Sequence, residues 1–138
     1  MTYDYSTGTM YAIGFDQGES ALYEVNLTDG ALTKVTTLQK TLGTIAADMD
    51  GTLYGAAHDG FIYRVNKTDG SLQGIIQTGF SGLAYNQSME FDHTTGLLYW
   101  GAGSADYDRG AQTHMLCINI EDKSFKVLGN IGINAQLQ

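Results

Sequence analysis

The residue types best suited to chemistry crowd into one stretch, Gly101 to His114, which carries Asp106, Tyr107, Asp108, Arg109 and His114. Two carboxylates, a guanidinium, an imidazole and a phenol offer donors and acceptors beside an aromatic ring, the combination that orients a sugar hydroxyl or a peptide. Strand patterning brings Trp100 and Tyr85 near the same place, so these seven residues form the candidate ligand-binding set. The competing reading is a solvated hairpin tip, because aspartate and glycine are also what turn geometry demands.

Other constellations are weaker. Asp48 and Asp50 in the string DMDG match the start of a calcium loop, but no bidentate acid follows at the far end, and a calcium site needs six to eight oxygens. Turn stabilisation accounts for both aspartates. His58, His93 and His114 fall at unlike places in the chain's repeats, so they do not converge as zinc ligands. Glu90, Asp92 or Asp106 could pair for glycoside cleavage, as in any acidic chain. No nucleophile elbow, phosphate loop or metalloprotease motif is present, and neither a metal nor a cofactor is expected. The single Cys117 lies in the apolar run Met115 to Ile120 and reads as a buried small hydrophobe.

Charge narrows the partners. Fifteen acidic against 7 basic side chains give a formal net charge of -8. Such a chain repels phosphate backbones and anionic lipid, so nucleic acid is excluded as a partner. No segment has the apolar length of a membrane span, and no leader is evident at the N-terminus.

The elements that must hold these residues follow from an internal repeat. Asp4, Asp48 and Asp92 stand 44 residues apart; each is followed by a glycine, Gly8, Gly51 or Gly96, and three residues later by Tyr11, Tyr54 or Tyr99. A second block is anchored by Asn26, Asn66 and Asn119, with Asp29, Asp69 and Asp122 three residues on. Each block is a period-2 apolar run, a short polar turn and another such run, which predicts a β-hairpin. Two hairpins per unit give four short strands, and units of this length repeated are the signature of propeller blades. The fold expected is all-β: three four-stranded antiparallel blades, about 1–43, 44–87 and 88–138, in one segment. In the third unit the turn reads IEDKS without the glycine, which leaves its turn type open.

The phrases DGTLYG from Asp50, TGTMYAIG from Thr7 and LYEVNLTDG from Leu22 resemble blades of the quinoprotein-like and NHL-like β-propellers, including bacterial surface propellers. These motifs are structural, so the resemblance implies a fold and no active site. Propellers close with four to eight blades, and three leave the outer flanks uncovered. Two partners satisfy that need: a second copy, giving a six-bladed homodimeric ring, or further blades of a longer chain.

The third unit has the longest link between its second and third strands: the tyrosine-to-third-strand spacings, Tyr11 to Tyr23, Tyr54 to Tyr63 and Tyr99 to Cys117, are 12, 9 and 18. The function expected is therefore a non-catalytic binding or scaffold module, secreted or on a cell surface, that recognises carbohydrate or protein through the face bearing the 101–114 loop. The alternative is an enzyme of lyase, lactonase or glycosidase type with its site in the central funnel.

Overall fold

The computed structural model of the chain describes residues 1–16, 18–80, 87–103 and 112–133. Every regular element among them is a strand. The first sheet contains β1 (Thr2–Asp4), β2 (Thr9–Asp16), β3 (Glu19–Val25) and β4 (Leu32–Thr37). The second contains β5 (Leu42–Ala47), β6 (Leu53–Ala57), β7 (Phe61–Val65) and β8 (Leu72–Gln77), and the third β9 (Ser88–Asp92), β10 (Leu97–Gly103), β11 (Gln112–Asn119) and β12 (Ser124–Ile133). Among the described residues all pairings are antiparallel between consecutive strands, and no strand pairs across two sheets. Among the described residues no helix is long and apolar enough to cross a membrane.

The repeat fixes the register. Tyr11 lies opposite Thr2, Tyr54 opposite Ala46 and Tyr99 opposite Glu90, the same inner-strand position in each sheet. The turn between the last two strands is also the same three times. Asn26, Asn66 and Asn119 each accept from the amide two residues on, at 2.8, 2.9 and 3.0 Å. Asp29, Asp69 and Asp122 do likewise at 2.9, 2.9 and 3.1 Å. In the third unit the glycine-free turn survives because Lys123 itself takes a left-handed conformation, φ 55°, where Gly30 and Gly70 have 76° and 72°. Without the glycine, the Asn119 and Asp122 side-chain bonds are kept and a non-glycine residue carries the left-handed strain.

Hydrophobic burial lies between sheets. One core joins Tyr11, Leu22 and Leu38 to Ile45, Leu53, Tyr63 and Val65, filling the seam between the first two sheets. The other joins Tyr54, Ile62 and Ile76 to Phe91, Leu98, Trp100, Leu116 and Ile118 across the next seam. Each fully buried aliphatic side chain contributes about 2 kcal/mol of transfer free energy. The first strands contact one another in order, β1 with β5 and β5 with β9, so they are innermost and the sheets fan outwards as propeller blades.

Among the described residues the middle sheet is covered on both faces and the outer two on one each. This corrects the reading of Cys117 as a buried thiol. It is only partly buried, because it lies on the flank of the third sheet that faces away from the second.

Candidate functional site

The connections between strands fall at two ends of the sheets. Among the described residues, one end carries the β2–β3 and β6–β7 links and the link from the first sheet to the second. The other carries the tight turns after Asp4, Asp48 and Asp92 and after Asn26, Asn66 and Asn119.

At the first end, Lys40 in the link between the first two sheets donates to Asp59 Oδ2 at 2.7 Å and to the Tyr63 hydroxyl at 2.8 Å. Tyr63 in turn donates to Asp59 at 2.7 Å. Burial works against the Asp59 anion, but the bonds from Lys40 and Tyr63 outweigh it and hold the carboxyl below its usual range. The same bonds raise Lys40 above the ordinary lysine range. The triad ties the link to the second sheet.

Of the seven residues expected to bind ligand, Trp100 and His114 are described; Tyr85, Asp106, Tyr107, Asp108 and Arg109 lie outside the described residues. His114 is half-buried, its ring 5.2 Å from that of Phe80. Trp100 is 0% exposed in the seam between the second and third sheets, and its indole N–H donates to Gln87 Oε1 at 2.9 Å. Its ring therefore belongs to the core and offers no face to a ligand. Tyr99 and Trp100 point to opposite sides of β10, and the second sheet covers the side that Trp100 takes.

At the turn end an interaction that the sequence reading missed dominates. Lys67, in the turn between β7 and β8, donates to Asp4 Oδ2 at 3.0 Å and to the Gly51 carbonyl at 2.9 Å, with its ammonium 5.1 Å from the Tyr11 ring centroid. Asp4 is 0% exposed, and its Oδ1 accepts from the Ser6 amide and hydroxyl at 2.9 and 2.6 Å and from the Thr7 amide at 3.3 Å. Burial by itself would raise the Asp4 carboxyl, but the bonds from Ser6, Lys67 and Thr7 reverse the sign and hold it far below the usual carboxylate range. Gly51 has φ +77°, and a Cβ there would collide with Ser6 Oγ and the Asp4 carboxylate. The signal in the sequence was slight: Lys67 is the one cation among Leu27, Lys67 and Ile120, the residues that follow the turn asparagines.

A cleft of about 370 Å³ opens at the next seam at this end, lined by Asp48, Tyr54, Arg64, Asp92, His93, Gly96, Ile120 and Glu121 among others. Asp48 Oδ1 accepts from the Asp50 and Thr52 amides at 3.0 and 2.8 Å, the turn role expected from the sequence. Desolvation, then the Asp48 charge, raises the Tyr54 phenol, with Arg64 opposing. Near the ring axis the Tyr5 ring of the first sheet's turn meets His93 of the third at 5.1 Å. His93 Nε2 lies 3.8 Å from Glu90 Oε1. No group of three or more His, Cys, Asp or Glu side chains among the described residues is arranged to hold a metal ion.

Residues 2–126 match the family described as a repeat of unknown function, DUF6923. No curated protein matches the chain. Among solved structures, the crystal structure of a nidogen/laminin complex contains a chain that superposes with a TM-score of 0.65 at 19% identity, over 99% of this chain and 48% of that one. TolB from Acinetobacter baumannii superposes at 0.63 with 16% identity, over 96% of this chain and 32% of its own. The likeness is one of fold. The chain spans about half of the first neighbour's length and about a third of the second's.

Proposed function

We propose, for a chain that belongs to the DUF6923 family of repeats of unknown function, a non-catalytic binding or scaffold role as part of a closed β-propeller. In this reading the ring recognises protein or carbohydrate through the face that carries residues 101–114. The observation that carries it is how the polar groups are used. Asp4, Asp29, Asp48, Asp59, Asp69, Asp92 and Asp122 each accept a bond from a nearby main-chain amide. Asp4 and Asp59 are further engaged by lysines, so the carboxylates hold turns and seams together. The setting proposed is extracellular or cell-surface, and kinship to the quinoprotein-like and NHL-like propellers rests on the glycine and tyrosine turn phrases.

Three blades form a partial propeller, and the ring in this proposal is closed by a second copy. Two features support a need for further blades at both flanks, which a second copy would supply. Lys67 and Ile120 lie against the preceding sheet, whereas their counterpart Leu27 is 64% exposed. Tyr11 and Tyr54 are buried against the following sheet, while Tyr99 is partly exposed. Sedimentation velocity on the purified chain tests the closure: a dimer is the expected species, and a monomer at micromolar concentration rules the second copy out.

Recognition is tested by screening the protein and a Tyr107→Ala/Arg109→Ala variant against arrayed oligosaccharides and peptides. Binding that the double variant loses supports the proposal. Binding unchanged in the variant, or turnover of lactone or glycoside substrates, overturns it.

A further inference from the structure

The seam between the first two sheets contains a lysine that the next seam replaces with hydrocarbon. In each repeat the turn asparagine fixes the position of the residue after it, which is Leu27, Lys67 or Ile120. Lys67 uses three groups on its seam: Asp4 Oδ2, the Gly51 carbonyl and the face of Tyr11. Their counterparts on the next seam are Asp48, Gly96 and Tyr54, and all three line the cleft of about 370 Å³ beside Ile120.

The match extends to single oxygens. Asp4 gives Oδ1 to its turn and Oδ2 to Lys67. Asp48 likewise gives Oδ1 to its turn, and no described residue donates to its Oδ2. Asp50, Asp92 and Glu121 add negative charge around the cleft against Arg64 and His93, and Arg64 makes no ion pair with a described residue. Ile120, Phe91 and Met49 supply apolar wall.

We infer that this cleft receives the lysine side chain of a protein partner, seated as Lys67 is seated one sheet earlier. The four-carbon stem runs along the apolar wall and the ammonium reaches Asp48 Oδ2 and the Gly96 carbonyl. A point charge fits this pair of acceptors, whereas a guanidinium needs two coplanar ones. The site lies at the opposite end of the third sheet from Gly103 and Gln112, and it is independent of any ligand taken by residues 101–114.

The test is an NMR titration of the isotope-labelled full chain with acetyl-Gly-Lys-Gly-amide, its norleucine counterpart and n-butylamine. The lysine peptide is expected to shift the amides of Asp50, Thr52 and Gly96 saturably, more weakly as salt rises, while the norleucine peptide leaves them in place. Asp48→Asn keeps the turn acceptor and loses about tenfold in affinity, as for a lost charge-assisted bond. Ile120→Lys supplies the cation from within, abolishes peptide binding and raises the melting temperature. Equal shifts from the norleucine peptide, undiminished binding in either variant, or no shift at millimolar lysine peptide overturns the inference. Butylamine binding as tightly as the peptide overturns the assignment to a protein partner.

Discussion

Lys67 reaches back across a seam to Asp4, Nζ to Oδ2 at 3.0 Å, joining the turn that closes the second sheet to the last residue of the first sheet's inner strand. The two are 63 residues apart in the chain. Removing the cation leaves a carboxylate wholly enclosed and short of a partner. Lys67→Met is expected to cost about 2–3 kcal/mol, below the loss for a fully enclosed pair because the lysine is partly wet. Urea denaturation measures it. A loss equal to that of Lys34→Met, whose partner Glu19 is exposed, would show that the pair contributes nothing particular.

Acid should act through the same carboxyl. The folded-state pKa of Asp4 is depressed, so its contribution is fully present above the ordinary carboxyl value and is lost as pH falls towards the folded one. Stability is expected to drop between about pH 4 and pH 2, with a shallower drop in Asp4→Asn. Parallel curves for the two proteins would place the acid sensitivity elsewhere.

The three repeated tyrosines separate covered from uncovered flanks. Tyr54 packs on Phe91, ring centroids 5.5 Å apart, and Tyr54→Ala is expected to cost about 3 kcal/mol. Among the described residues no sheet packs on Tyr99, so Tyr99→Ala should cost under about 1 kcal/mol in dilute protein while weakening the proposed self-association. Equal losses at low concentration would mean that the flank of Tyr99 is already covered within one chain.

Lys123 holds a left-handed backbone that its counterparts assign to glycine. Lys123→Gly should raise stability by about 0.5–1 kcal/mol, the left-handed strain relieved less the entropy that glycine brings. Thermal melting decides; a lower melting temperature would show that the lysine side chain contributes more than its backbone costs.

Trp100 is the only tryptophan and is completely enclosed. Its fluorescence should be blue-shifted and insensitive to aqueous quenchers, and Trp100→Phe should leave Gln87 without its indole donor at a cost of about 1–3 kcal/mol. Ready quenching by iodide would contradict the packing of the second seam.

Much of this architecture was legible in the chain because it is local. An aspartate, a glycine three or four residues on and a tyrosine three beyond it specify a turn and a register, and these recur as expected at Asp48, Gly51 and Tyr54. The functional surface was less legible, for a topological reason. Alternation says that Tyr99 and Trp100 point opposite ways, but which way is covered depends on which neighbouring sheet exists. The sequence assigns Trp100 to the candidate ligand-binding set, and the structure encloses it in a core. The Asp4–Lys67 pair was hidden in the same way, since nothing local tells a turn lysine that it will meet an aspartate from another repeat. Cys117 has apolar neighbours in the chain but is partly open, because no described residues pack a further sheet on its flank.

The middle sheet lends both its faces to cores, and each outer sheet lends one. Cooperativity in such an array is a nearest-neighbour affair: loss of an end unit dissolves one contact layer, and loss of the central unit dissolves two. Hydrogen exchange should therefore be slowest in β5, β6 and β7 and faster towards either end, a gradient of protection along the chain that capping either flank would level.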